Sequence, residues 1–320
     1  QGIQFQFRCA DPAPISKFTF YVHSGRGWYA ASFATDDPSG WNTVIIDKDV
    51  LQKEGKPGGL DEIDAIRISA RKAGKADTEF SIADLGLWGE DASILVVRGD
   101  WYVRRCPEET ASVAARVGTV AQYLRAAGVA YNLCSDLDLK SEVLKGKRVV
   151  ILPQNSEMSD EALKVLGAFL RGGGKLISFY VLPPELRPIV GIKQGGPIRQ
   201  QYTGSFASIR SDGGIIRGLP ELVCQRSWNV FQTRPAGPEG RIAAHWYSDR
   251  GTSTGEPAII VTDNCIHMTH VLLSDDPAGK KAMILALTGH FVPEVWKGAA
   301  RQAIETVGVV GPYHGKDDFA

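Results

Sequence analysis

Neither sign of charge is in excess in this sequence. Lys and Arg together number 36 and so do Asp and Glu, so the formal net charge at pH 7 is +0. Without a cluster of basic residues to build a positive face, nucleic acid is not an expected partner. No apolar run approaches the roughly 20 residues that cross a bilayer, so no membrane partner is expected either. The 5 cysteines, Cys9, Cys106, Cys134, Cys224 and Cys265, are scattered, and none belongs to a CxxC pair. That excludes zinc-ribbon spacing, and the odd count leaves one thiol unpaired in any disulfide scheme. The triple glycine at 172–174 follows a helical pattern and precedes a strand, the reverse of a dinucleotide loop, and no GK[ST] occurs; no nucleotide cofactor is expected. Nothing at the start reads as a signal peptide. The chain opens on Gln1 within the strand-like "GIQFQFRC", and the expectation is a processed chain or a fragment.

What is present reads as two regions with different patterning, in keeping with a length of 320 residues. Residues 1–90 carry short β-branched and aromatic runs: "GIQFQFRC", "KFTFYVHS", "GWYAASF", "NTVIIDK", "DAIRISAR" and "TEFSIADLGLW". Most alternate, and Gly, Pro, Asp and Asn punctuate them at intervals of roughly ten residues, the signature of an antiparallel β-sandwich. From Ala92 the runs turn continuously apolar. "SILVVRG", "RVVILP" and "GGGKLISFYV" read as buried parallel strands. Between them lie helical segments, one with Val113, Val117, Val120 and Leu124 at helical spacing and Gly128 closing it. The other starts at Ser159, with Asp160 and Glu161 in its first turn and Leu163, Leu166 and Leu170 facing inward. This alternation predicts a parallel sheet with helical crossovers. Residues 195–260 read as β segments and loops, then "PAIIVTDN" and "CIHMTHVLLS" as paired strands. A helix is expected from Pro277 with Asp276 as its N-cap, and a last one over 294–307. The expected organisation is residues 1–90, 91–293 and a terminal helix with linker at 294–320.

The stretch "KLISFYVLPPEL" (175–186) breaks from strand to turn at the place where many α/β enzymes mount a nucleophile. Here the turn offers Tyr180, Val181 and Leu182, and the nearest hydroxyl, Ser178, sits inside the strand. The order helix, glycine turn, strand, elbow resembles the class I glutamine amidotransferase-like family, an α/β fold of flavodoxin-like, three-layer type. Its G-x-C-x-G elbow is absent, so amidotransferase activity is not implied. "ALKVLGAFLRGGGKLISF" is similar to the non-catalytic members joined to glycoside hydrolases, the trimerisation domain of certain β-galactosidases, over about residues 92–290. The N-terminal runs resemble a galactose-binding-like jelly-roll module, whose first strands are expected to lie outside this sequence. Together these resemblances imply the accessory front half of a glycoside-hydrolase-like protein, secreted or periplasmic. They imply a covalently linked catalytic domain beyond Ala320, carbohydrate as partner and a homo-oligomer.

Several residues are candidates for binding. Neighbours on a strand point to opposite faces, so Tyr29, in step with Ala31 and Phe33, belongs to the core, and Trp28 to the other face. With Arg26 beside it, Trp28 is a platform for a sugar's C–H face or a packing residue under a loop. Trp41 reads as core. Asp36 and Asp37 in "DDPSG" are a turn or part of a structural calcium site. In "CIHMTH" only Cys265 and His267 share a strand face, so no metal site is expected. His267 or His270 stands where the amidotransferase family carries its late histidine, with no nucleophile to activate. Asp100 and Trp101 end the first parallel strand, next to Arg98, and Tyr180 and Asp275 end later ones, where α/β folds place ligands. A filled pocket or an interface explains the same residues, and helix capping explains Asp276. The leading functional reading is therefore a non-catalytic accessory region with no catalytic residue of its own. The alternative is a hydrolase acting on a carbohydrate-type substrate, with a cleft at Asp100, Tyr180, Asp275 and a late histidine.

Overall fold

The computed structural model describes residues 2–35, 40–89 and 92–297. It is β-rich, with several sheets and a few helices, and it divides into two compact units, 2–89 and 92–297 of the described residues. Asp36 and Asp37, and most of the helix expected over 294–307, lie outside the described residues.

The first unit holds strands β1 (Gly2–Cys9), β2 (Ile15–Phe33), β3 (Asn42–Asp47), β4 (Gln52–Pro57), β5 (Ile63–Lys72) and β6 (Phe80–Trp88). They form two antiparallel sheets, in the orders β3-β1-β6 and β4-β2-β5. β2 is one extended span that doubles back at residues 24–27. The rings of His23 and Trp28 are 4.6 Å apart and those of Phe18 and Phe33 5.7 Å. A straight strand rising about 3.3 Å per residue could not bring Phe18 to Phe33. Gly25, at φ 62°, takes the left-handed turn that this reversal needs. The two sequence runs on either side of "SGRG" are thus the two arms of one hairpin. Alternation then sorts the side chains. Phe5, Phe7, Phe18, Phe20, Val22, Tyr29, Ala31, Val44 and Ile46 make one core from both sheets. Trp41 departs from the expectation: it is 45% exposed. β3 buries Val44 and Ile46, and Trp41 has the opposite parity, so it faces outward.

The second unit is built on nine strands in the order β13-β12-β15-β16-β17-β10-β9-β7-β8. Its elements are β7 (Ile94–Arg98), α1 (Asp100–Arg105), α2 (Thr110–Ala126), β8 (Asn132–Ser135), β9 (Val149–Leu152), α3 (Asp160–Arg171) and β10 (Lys175–Phe179). After these come α4 (Arg187–Val190), β11 (Ile192–Arg199), β12 (Phe206–Ser211), β13 (Leu222–Ser227), β14 (Asn229–Pro235), β15 (Arg241–Tyr247), β16 (Ser253–Val261), β17 (Cys265–Met268) and α5 (Pro277–Phe291). The five strands from β17 to β8 pair in parallel. The rest of the sheet is antiparallel, and β11 pairs with β14 in a separate ribbon.

Both faces of the parallel part are buried, which is why its strands read as unbroken apolar runs. Leu95 and Val97 pack with Leu166 and Leu170 of α3, while Ile94 and Val96, of the other parity, are equally buried. The helix signals resolve as side-chain caps. Ser159 accepts from the Ala162 amide (3.2 Å), and Asp276 accepts from that of Gly279 (3.0 Å) with Pro277 at the first helical position. Short elements escaped the pattern: β8, "NLCS", is too short and polar to show one, α1 occupies six residues after β7, and α4 is a single turn of four.

Candidate functional site at the carboxyl edge of the large sheet

The carboxyl ends of the parallel strands gather the chemistry-bearing residues of the second unit. β10 ends at Phe179, and Tyr180 follows in the left-handed region, at φ 68°. A non-glycine residue there stores strain and persists only when its surroundings hold it. Four residues hold it: Met268, Gln194, Asn229 and Phe231. The Tyr180 amide donates to the Met268 carbonyl (2.9 Å), continuing the ladder to β17. Gln194 Nε2 donates to the Tyr180 carbonyl (2.8 Å) while Gln194 Oε1 accepts from the Leu182 amide (2.9 Å). Asn229 Nδ2 donates to Tyr180 Oη (3.0 Å), and the ring packs edge-on against Phe231, centroids 4.8 Å apart. The strained position directly after the strand thus carries a phenol, with no thiol or aliphatic hydroxyl there.

Ser178 and His267 form a hydrogen-bonded pair beneath it, Oγ to Nδ1 2.9 Å, and both are buried. The pair is arranged against catalysis. Gln194, oriented by the Leu182 amide, presents its NH₂ to His267 Nε2 (3.1 Å). Nε2 is therefore the acceptor, and Nδ1 carries the proton and donates to Ser178. A general base needs the reverse tautomer, with the bare nitrogen facing the hydroxyl. Burial, with Arg187 adding to it, lowers the His267 pKa to about 3, so the ring stays neutral. Cys265, next to Ser178 at 3.8 Å, is a thiol whose pKa burial pushes up to about 12.

His270 lies past the end of β17, fully buried and boxed by aromatic rings: Trp228 at 4.5 Å, Tyr180 at 5.5 Å and Trp246 at 6.3 Å. Burial lowers its pKa to about 4. Nδ1 is 2.9 Å from the Val271 carbonyl and 3.2 Å from Gln225 Nε2. The two hydrogens of that amide go to Ser227 Oγ (3.1 Å) and the Val271 carbonyl (2.9 Å), so Nδ1 donates to Val271 and Nε2 is the bare nitrogen. Among the described residues nothing bonds to it, nor to Asn229 Oδ1 or Arg116 Nε, all buried atoms. Each such atom costs about 1–3 kcal/mol unless something supplies its partner. Arg116 is close enough to lower the His270 pKa. Trp228, which packs on His270, also borders a pocket of about 260 Å³ with Gln200, Thr203, Arg226, Ser227 and Asp249. Trp228 is 47% exposed.

The residues expected to share one cleft fall into separate groups. Asp100 is held by Arg98 Nε (2.8 and 2.9 Å). Burial opposes its charge, but the Arg98 and Ser135 hydrogen bonds outweigh that and lower its pKa. The Trp101 amide donates to Asp136 Oδ1 (2.9 Å). Asp136, 2% exposed, has its pKa raised to about 6 by burial, and its Oδ2 lacks a partner among the described residues. Tyr180, by contrast, packs on Phe231 and His270, two strands along the sheet from β7. Asp275 commits both carboxylate oxygens to protein partners: Oδ1 is 2.9 Å from Lys280 Nζ and Oδ2 accepts from the Arg226 amide (2.9 Å). Asp276 both caps α5 and accepts from the Cys224 amide (2.8 Å).

In the first unit Tyr29 is in the core, and Trp28 lies half-buried on the opposite face beside Tyr21 and His23. The cation over its ring is Arg67, 4.6 Å from the centroid, which also covers Tyr21 at 4.2 Å. Arg26 is exposed and stands opposite Lys56 in the ladder. A pocket in this unit, about 230 Å³, is lined mainly by apolar residues such as Ile3, Leu51, Leu60 and Ile63. Gln194, Trp228, Asn229 and Arg116 escaped the sequence reading. They come from weakly patterned segments or a helix flank, and only the fold carries Gln194 and Asn229 to the elbow and Trp228 to His270.

No family profile and no curated protein matches this chain. Among solved structures it is similar to the β-galactosidase from a Rahnella species (17% identity, TM-score 0.48, covering 62% of this chain and 31% of that one). It is similar also to the β-galactosidase from Bacillus circulans sp. alkalophilus (15%, 0.49, 64% and 31%). A third is a ThuA-like protein from Bacteroides uniformis (9%, 0.40, 67% and 94%). The chain thus spans under a third of the length of the β-galactosidases it matches.

Proposed function

We propose that this chain is a non-catalytic accessory region of a carbohydrate-active protein. In this reading a galactose-binding-like sandwich precedes a degenerate amidotransferase-like domain of flavodoxin-like type, and the pair positions or assembles a linked glycoside-hydrolase-like catalyst. The observation that carries the reading is the elbow. It keeps the strained backbone turn but presents Tyr180, while the hydroxyl–imidazole pair below it is buried and in the wrong tautomer. Asp275, the acid on which a hydrolytic cleft would rely, is committed to Lys280 and to the Arg226 amide. Two electrically neutral histidines and a sealed serine offer neither a nucleophile nor an acid–base pair to solvent.

The test is a turnover assay of the purified chain against chromogenic β-galactosides, β-mannosides and acyl esters. The expected result is no hydrolysis above the rate without protein. Hydrolysis that disappears in Tyr180→Phe or His270→Gln, both still folded, would replace the reading with a hydrolytic one.

A further inference from the structure

We propose that β5 is a docking edge for a second copy of this chain, the two β5 strands pairing antiparallel across a two-fold axis. This assembly goes beyond the accessory reading and does not rest on it, because it concerns the first unit's surface and not turnover.

Three observations lead to this edge. First, β5 ends its sheet: in the order β4-β2-β5 it pairs with β2 alone among the described residues. Its other side therefore presents a row of free amides and carbonyls, a template for a further strand. Proteins often blunt such an edge by keeping it short or by placing Pro or a bulge there. β4, at the far end of the same sheet, is blunted in this way: "QKEGKP" has 6 residues, turns at Gly55 (φ 77°) and ends in Pro57. β5, "IDAIRISARK", runs for 10 residues with neither Pro nor Gly.

Second, Ile66, Ile68 and Ala70 stand opposite Val22, Phe20 and Phe18 in the ladder, so they point to the core side of the sheet. Those three partners are buried, yet Ile66 is 47% exposed, and Ile68 and Ala70 are only half-buried. The rim of the core is open along this strand. A neighbouring strand with apolar residues in step would close it.

Third, the sequence of β5 complements itself, which selects a second copy as the occupant. A two-fold axis at Ile68 sets Ile68 against its copy, Ile66 against Ala70, Arg67 against Ser69 and Ala65 against Arg71. Apolar residues then meet on the core side, and no like charges stand directly opposite. At both ends Asp64 of one copy comes beside Arg71 and Lys72 of the other, and opposite charges across a ladder attract. The neighbouring registers that keep the faces matched would set Arg67 against itself or against Arg71. Asp64 and Lys72 have exposed partners of their own, His23 and Asp77, but such surface pairs contribute little. Arg67 lies over the Tyr21 and Trp28 rings, away from the axis-facing pairs of the core side. β6, the other long edge strand of this unit, holds no basic residue, so a copy of itself offers it no opposite charge.

One strand pair is smaller than a standard interface, so a dissociation constant on the order of 10 μM is expected. The experiment is sedimentation velocity on the full chain at concentrations spanning that value. The expected result is a species that moves from 34.7 kDa towards twice that mass as concentration rises. Ile66→Lys, at an exposed position, should weaken the dimer at least tenfold, with circular dichroism and melting confirming that it is folded. Asp64→Lys alone, and Arg71→Glu/Lys72→Glu alone, each bring like charges together at both ends and should also weaken it. An equimolar mixture of these two variants should dimerise again, because every end then joins opposite charges. If Ile66→Lys unfolds the first unit, the charge variants carry the test by themselves.

A monomer at every concentration overturns the proposal. So does an oligomer that persists unchanged in Ile66→Lys and in both charge variants, since its interface would lie elsewhere. Weakening in each charge variant without recovery in the mixture overturns the antiparallel register. None of these outcomes bears on hydrolysis, which the turnover assay decides separately.

Discussion

Lys280 is a charged side chain with no exposure at all, and it locks the start of α5 onto β13. Its ammonium group donates to the carbonyls of Cys224 (3.1 Å) and Asp275 (3.1 Å), more weakly to that of Leu273 (3.4 Å), and pairs with Asp275 Oδ1 (2.9 Å). Burial lowers its pKa, and Asp275 works against that shift. Replacing it in Lys280→Met keeps the side-chain length but strands a carboxylate and three carbonyls. Losing one member of a buried pair costs about 3–5 kcal/mol. The Asp275 side chain is 37% exposed, and water takes up part of that loss, so about 3 kcal/mol is expected here. For a unit of this size, at about 2–4 °C per kcal/mol, the second unit's melting temperature should fall by about 6–12 °C. Differential scanning calorimetry at pH 7 reads this directly. The double variant Lys280→Met/Asp275→Asn should recover part of the loss, because the unpaired charge is gone. A fall under about 2 °C in Lys280→Met would refute the reasoning, since the pair would then contribute no more than a surface one. The same outcome would free Asp275 for a role in a cleft.

Two further variants probe the sheet edge. Asp136 has a folded pKa raised to about 6. Its ionised form is therefore penalised above that pH, and the penalty fades as pH falls from about 6 towards the unfolded value near 4. Asp136→Asn should accordingly stabilise the chain by about 1–2 kcal/mol at pH 8 and by almost nothing at pH 4, read from urea melts; an equal effect at both pH values would reject the burial argument. His267 and His270 act in the opposite sense, since their lowered folded values mean that stability is whole above about pH 6.5 and is lost as the unfolded chain takes up protons below it. Gly99, between β7 and α1, has room for no side chain, because a Cβ would meet the Gln154 carbonyl oxygen at 2.5 Å. Gly99→Ala should cost about 1–3 kcal/mol by thermal melting, and a neutral result would mean that the two chain segments part easily.

The alternation of "KFTFYVHS" and "GWYAASF", separated by "SGRG", was enough to read two antiparallel arms and to put Tyr29 inside and Trp28 outside. The unbroken apolar runs from Ile94 to Phe179 were enough to read parallel strands buried on both faces. Ser159, Asp276 and Pro277 marked helix starts by local chemistry alone. These readings work because period, turn geometry and capping are properties of neighbours in sequence. The missing nucleophile at "FYVLPP" is equally local, and so was visible at once.

What the chain order could not convey is which distant residues meet. That Gln194 staples the Tyr180 elbow and also sets the His267 tautomer depends on β11 lying beside β14 and over the ends of β10 and β17. That Arg67, and not Arg26, covers Trp28 depends on the register of β2 with β5. Asp275 and Asp276 look alike on paper as acids at a strand end. Only the packing of α5 against β13 turns one into the partner of a buried lysine and the other into a cap that also grips a strand. Periodicity records which face a residue takes, whereas hydrogen bonds between segments far apart in sequence arise from packing. The β-rich character and the positions of individual strands and helix starts could therefore be read from the sequence, and the chemistry of the sheet edge only from the tertiary structure.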